Sequence, residues 1–293
     1  MAVQMKGKRV LHAVIFILLG VFLFIFFLYI GFPYETLERR IIGELEAKTP
    51  FRYEIEEVRP HLLSGLTFKN VVISALVDSK KVEVIGIERF RITLSLLPLL
   101  WRKVSLRLWG EVLDGTVEGE FSKNGGGGEL TLLGRDVNLQ RIHVLRGVMG
   151  MEMAGILKGK TTIAFREEDL SGQSGSAEFE ISGAMLSVLS LPGIAPLRVG
   201  RIKGSIELER GKIIIKRLTS SGGDLNGQVL GDILINSHLP QSRLNLRITV
   251  KPSAKFDPRY QVLLSLFGRQ GKVKGIYPFS LRGTLLQPRL VTK

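Results

Sequence analysis

Four histidines, His12, His61, His143 and His238, are the side chains best suited to acid–base or metal chemistry near neutral pH. No two of them lie close in sequence, so none forms a metal-ligand or acid–base pair by spacing. There is no cysteine, which excludes a structural disulfide, a thiolate metal site and a cysteine nucleophile. Carboxylate pairs occur at Glu56-Glu57 and Glu167-Glu168, where they read as solvated charge at strand ends or turns. No serine occupies a G-x-S-x-G elbow: Gly204-Ser205-Ile206 and Gly172-Gln173-Ser174-Gly175 read as strand-edge and turn sequence. The run Gly125 to Gly128 lacks the Lys-Ser/Thr and the helix of a phosphate-cradling loop, and reads as an exposed hairpin loop. The expectation is a protein that is not an enzyme, with no catalytic residue, cofactor or metal.

The elements that organise these residues fall into two regimes. Ala13 to Ile30 is a run of eighteen residues without a charge. A helix of that length is roughly 27 Å long, close to the hydrocarbon thickness of a bilayer. The apolar residues Ala13, Val14, Ile15, Phe16, Leu18, Leu19, Val21, Phe22, Leu23, Phe24, Phe26, Phe27, Leu28 and Ile30 are therefore expected to form a membrane anchor over residues 10–31. Tyr29, Phe32 and Tyr34 would make the aromatic belt at its far end. The junction around Tyr29 to Pro33 is a poor cleavage site, which favours an anchor over a removed signal peptide. Lys6, Lys8 and Arg9 in the tail 1–9, set against Arg39 and Arg40, favour a cytoplasmic N-terminus. After Pro33, the spacing of Leu37, Ile41 and Leu45 among charged residues predicts a short amphipathic helix within 32–50, ending near Thr49-Pro50.

From Phe51 to Lys293 the dominant period is two. Arg243 to Lys251 shows it best: Leu244, Leu246, Ile248 and Val250 face one way, and Arg243, Asn245, Arg247, Thr249 and Lys251 the other. Phe179 and Ile181, Ile206 and Leu208, and Phe279, Leu281 and Leu285 alternate with polar residues in the same manner. This is the pattern of antiparallel strands with one buried face. Turn signals recur at Asp114-Gly115, Asn124 to Gly128, Arg210-Gly211, Gly222 to Asp224 and Asn226-Gly227, and the 33 glycines read as this punctuation. Three short helices are predicted, over Leu94 to Trp101, Asp136 to Met151 and Asp257 to Phe267, and the second suggests a weak subdivision near 140–155. The predicted fold is mainly β: one N-terminal transmembrane helix, then a long twisted antiparallel sheet, built as a half-pipe or a sandwich, with a few short helices.

The formal charge is +14, from 41 Lys and Arg against 27 Asp and Glu. The basic residues are spread along the polar side of the strands, which argues against nucleic acid as a partner and suits a body beside anionic lipid headgroups.

The order of segments resembles the N component of the type II (general) secretion pathway, which is itself similar to AsmA-type envelope proteins. The resemblance rests on Phe32-Pro33-Tyr34 and the helix after it, on Tyr53 to Val71, and on Ile92 to Phe121 with its Leu96-Leu97-Pro98-Leu99-Leu100 turn. It rests further on Gly204 to Ile235 and on Gly275 to Pro288. It implies a single-pass inner-membrane protein with a periplasmic body, working with other secretion-system subunits, and it carries no catalytic residues. The AsmA side of the resemblance implies an apolar groove that binds or conducts phospholipid. For Leu244, Leu246, Ile248 and Val250 two readings stand: packing inside a closed core, or contact with acyl chains or a partner's strand in an open groove.

Overall fold

The computed structural model describes residues 16, 19, 20, 23, 34–49, 51–61, 64–77, 80–142, 151–166, 173–188, 196–236, 241–254, 256, 275–285 and 287–291. The first complete element is helix α1 (Tyr34–Lys48). It stops where Thr49 turns both its amide and its hydroxyl onto the Leu45 carbonyl, at 2.9 and 2.8 Å, just ahead of Pro50. Glu46 then accepts from the Tyr53 amide at 3.3 Å and from the Arg52 guanidinium at 2.8 Å. Thr49 Oγ1 and Tyr53 Oη lie 3.0 Å apart. Together these contacts set the angle at which the helix leaves the sheet.

Fourteen strands follow: β1 (Phe51–His61), β2 (Gly65–Val77), β3 (Lys80–Leu94), β4 (Val104–Val112), β5 (Gly115–Asn124), β6 (Gly127–Asn138) and β7 (Met151–Arg166). After them come β8 (Ser174–Val188), β9 (Leu197–Glu209), β10 (Lys212–Gly222), β11 (Leu225–Leu234), β12 (Arg243–Pro252), β13 (Tyr277–Thr284) and β14 (Pro288–Val291). They form one sheet in strict sequence order, every pair antiparallel. Each strand pairs with the one just made, so the strand order is a simple antiparallel meander.

Several of those hairpins are tight because the sequence supplies positive φ. Leu113 (φ 52°) and Asp114 (φ 63°) make the two-residue turn from β4 to β5, and Arg210 (φ 48°) with Gly211 (φ 73°) the one from β9 to β10. The β10–β11 turn is held from the neighbouring strand β9. Asp224, which is buried, accepts from the Arg198 amide and guanidinium, each at 2.9 Å, and its own amide donates to the Arg198 carbonyl. The Asp224 carboxylate holds the Arg198 guanidinium above its ordinary pKa, through the hydrogen bond first and charge second.

Register shifts recur across the sheet, at Ile73/Ser74, Ile87/Arg89, Gly134/Val137, Ala154/Ile156 and Ile215/Arg217 among others. Each extra residue bends its strand and sharpens the local twist, which lets so wide a sheet coil.

Four expectations need correction. The transmembrane helix does not stand. No helix among the described residues is long and apolar enough to cross a membrane. Of Ala13 to Ile30 only Phe16, Leu19, Gly20 and Leu23 are described, and they are helical; the rest of the expected anchor lies outside the described residues. An apolar composition is necessary for a span but does not by itself make one. The helix expected from Asp136 does not start there, and residues 143–150 of its expected span lie outside the described residues. Asp136 to Asn138 complete β6, Leu139–Arg141 form a single 3-10 turn capped by Asn138 Oδ1, and Met151 opens β7. Cross-strand pairing overrides the helical spacing there. Asn226-Gly227 lies inside β11 rather than in a turn, and Glu56-Glu57 lies mid-strand in β1. The helix expected over Asp257 to Phe267 and the pair Glu167-Glu168 fall outside the described residues. The short apolar helix is present as α2 (Leu96–Leu99).

Replacing Asp224 with alanine removes the acceptor for both Arg198 donors at a buried turn. It should cost about 2 kcal/mol, read as a lowered urea midpoint with an unchanged m-value.

Candidate apolar binding face

Residues directly opposite one another in an antiparallel pair share a face, so the register assigns every strand residue to one side. One transverse row runs Val58, Phe68, Phe90, Gly110, Val117, Gly134, Gly159, Phe179, Gly204, Leu218, Val229, Ile248, Phe279. The next row runs Pro60, Leu66, Ile92, Leu108, Gly119, Leu132, Thr161, Ala177, Ile206, Ile215, Gly231, Leu246, Leu281, Leu290. A third, starting at β3, runs Leu94, Leu106, Phe121, Leu130, Ile163, Gly175, Leu208, Ile213, Ile233, Leu244, Gly283, Pro288. In all three rows the only polar side-chain atom is the hydroxyl of Thr161.

The opposite face is mainly polar, with Trp109, Leu133 and Ile214 among its few apolar members. One of its rows reads Arg107, Glu120, Thr131, Thr162, Ser176, Glu207, Ile214, Asp232, Asn245, Arg282, Arg289. Cross-strand ion pairs lace it: Arg135–Glu118 at 3.0 Å, Arg201–Glu180 at 3.1 Å and Lys216–Glu207 at 2.9 Å. Glu57 pairs with Arg59 and Lys69, whose hydrogen bonds hold its carboxyl below the usual range. The stabilisation from Glu57 is present above the ordinary carboxylate pKa and fades as pH falls through the lowered one. These side chains are largely solvated, so the effect is weak. A depression of about 740 Å³ on this face is lined by Leu133, Arg135, Lys158, Lys160, Glu178 and Lys203 among others, so charged side chains surround its apolar lining.

The apolar face is sorted but only partly covered. Apart from Phe68 and Tyr277, its buried apolar residues fall into three small clusters, the first two sharing Ile142 and Leu157 as partly buried neighbours. Val112, Leu113 and Val137 make the first, Leu139, Ile181 and Ala184 the second, and Ile215, Leu244 and Leu246 the third. Most of the remaining row residues are half-exposed. Of the residues proposed to line a groove, Leu244 and Leu246 lie in the third cluster, while Ile248 and Val250 are half-exposed. All four share the apolar face, opposite Ile233, Gly231, Val229 and Gly227 of β11.

Glycine lets side chains on this face converge. Phe121 of β5 and Phe165 of β7 stack with ring centroids 5.7 Å apart, although two strand spacings separate their backbones by about 9.5 Å. Gly128 of β6 makes the approach possible: a Cβ there would stand 2.6 Å from the Phe165 ring. The Phe179 ring lies over Gly204 in the same way, and Leu132 over Gly119. These mid-strand glycines sit at packing sites, not turns. The signal was present in the chain, where Gly115, Val117, Gly119 and Phe121 share one parity and Thr116, Glu118 and Glu120 the other. Among the described residues, no group of three or more His, Cys, Asp or Glu could hold a metal.

No protein-family model matches the chain, and neither the curated proteins nor the solved structures contain a match to it.

A Cβ at position 204 cannot coexist with the present Phe179 ring. Gly204→Ala should therefore destabilise by about 1–3 kcal/mol. Most of that loss should disappear in a Phe179→Ala background, a non-additivity that a double-mutant cycle in urea would measure.

Proposed function

We propose that this chain is a non-enzymatic lipid-handling protein of the bacterial envelope, and that its apolar sheet face takes the acyl chains of phospholipid. The supporting observation is the set of transverse rows, running from β1 to β13, β1 to β14 and β3 to β14, with one hydroxyl between them. A closed core needs a second layer over such a face. Here the described packing on the sheet is α1 at β1, the 3-10 turn at β7 and α2 at β4. Fourteen strands at about 4.8 Å spacing give the face a breadth on the order of 60 Å. That is about twice the hydrocarbon thickness of a bilayer, enough for several acyl chains side by side. The polar face, with its ion pairs, would stay in water.

A second reading, as a subunit that docks into the secretion apparatus, draws on a different feature. Strand β14 pairs with β13 along one side, and Pro288–Val291 are all exposed. An edge of that kind can accept a partner's strand.

Photo-crosslinking separates the faces and the readings. Thr161 and Thr162 are chain neighbours on opposite sides of the sheet, the first between Leu132 and Ala177, the second 3.3 Å from the Thr131 hydroxyl. A benzophenone amino acid at position 161 should yield a phospholipid adduct by mass spectrometry after expression in bacterial cells, and one at 162 should not. Equal labelling, or no lipid adduct from 161, would remove the lipid reading. A protein adduct obtained from position 290 alone would move the secretion-subunit reading ahead.

A further inference from the structure

The connection between β3 and β4 is built unlike any other described turn. It carries Leu96, Leu97, Leu99, Leu100 and Trp101 in succession around Pro98, and all five are exposed. Leu97, Leu100 and Trp101 keep 72%, 76% and 69% of their surface in water. An exposed apolar cluster of this kind is the mark of an interaction site, whereas single exposed leucines need no explanation.

The tip is also prepared for an environment without water. Its backbone closes on itself: the amides of Leu100, Trp101, Arg102 and Lys103 donate to the carbonyls of Leu97, Pro98, Leu99 and Pro98 at 3.0–3.1 Å. Ser95 N to Ser105 O, at 2.9 Å, closes the neck. A segment entering hydrocarbon must satisfy its amides internally, and the last four amides of this turn do so. Arg102 takes the left-handed conformation (φ 57°) that ends it.

The charges next to it name the partner. Arg102, Lys103 and Arg107 follow the apolar tip, and no acidic residue occurs from Ser95 to Gly110. Arg102 and Lys103 are exposed. Leucines and a tryptophan bordered by basic residues match the boundary of an anionic bilayer, with the indole at headgroup level and the cations on the phosphates. The tip also continues the apolar face, because Leu94 and Leu106 at its base open the third row.

We infer that the Leu96–Trp101 tip is a membrane-docking element that inserts into the interface of an anionic lipid bilayer. This inference is independent of the acyl-chain reading of the sheet, and either can fail alone.

The test uses the full chain with Trp109→Phe, leaving Trp101 as the single indole. Trp109 lies on the polar face, where Arg91 stacks on it at 5.2 Å, away from the tip. Vesicles contain phosphatidylcholine and phosphatidylglycerol, with lipid brominated on its acyl chains as quencher. Trp101 emission should shift to the blue and be quenched, whatever else holds the chain to the vesicle. The pair Leu97→Asp and Leu100→Asp should weaken the quenching response at least about tenfold in lipid concentration, with far-UV circular dichroism unchanged. Arg102→Gln and Lys103→Gln should each lower the preference for phosphatidylglycerol about fivefold. Emission that stays water-like and unquenched in vesicle-bound protein would overturn the inference. So would quenching that survives both aspartates.

Discussion

Register is the constraint on which the rest of this structure depends. With a side-chain period of two, a slip of one residue in any pairing would carry a strand's apolar set to the polar side. The chain avoids this over fourteen strands joined in simple succession. Each strand is aligned by the hairpin before it, and the two-residue turns at Leu113-Asp114 and Arg210-Gly211 leave little room for error. Bulges are tolerated because both strands of a pair, or the next pair, adjust. Ile87 stays opposite both Val71 and Val112 although the spacing changes beside it.

Sidedness of this extent has an energetic consequence. Burying an apolar side chain contributes about 1.5–3 kcal/mol, yet here the full burial is concentrated in three small clusters. Backbone pairing and local convergence of side chains over glycine carry much of the remaining cohesion. The stacked Phe121 and Phe165 and the tilted Phe68 and Phe90, 6.2 Å apart, exemplify it. A half-covered apolar face is a standing source of binding free energy for any hydrocarbon that can reach it. Sheet face and β3–β4 tip therefore belong to one physical theme, apolar surface placed where a lipid could take it up.

The polar face has the complementary role. Its cross-strand pairs are individually weak, but opposite charges on neighbouring strands also disfavour mispairing, since like charges directly opposite repel. The pairs Glu118–Arg135 and Glu180–Arg201, each between adjacent strands, serve register as much as stability.

The sequence alone determined the period. Leu244, Leu246, Ile248 and Val250 against Arg243, Asn245, Arg247, Thr249 and Lys251 already required a strand with one apolar side, and the spacing after Pro33 required a short amphipathic helix. Both are local properties, legible within a few residues. What the tertiary structure decided is non-local. Half-pipe and sandwich share one alternation, and only the pairing order β1 to β14 shows a single sheet. The helical spacing from Asp136 yields to pairing with β7, because ladder hydrogen bonds and burial of Val137 outweigh a local preference. Mid-strand glycines look like punctuation until the ring from the neighbouring strand is seen to need their missing Cβ. The apolar run Ala13 to Ile30 met the compositional condition for a membrane span. Composition sets what a segment could enter, and among the described residues no helix is long and apolar enough to cross a membrane.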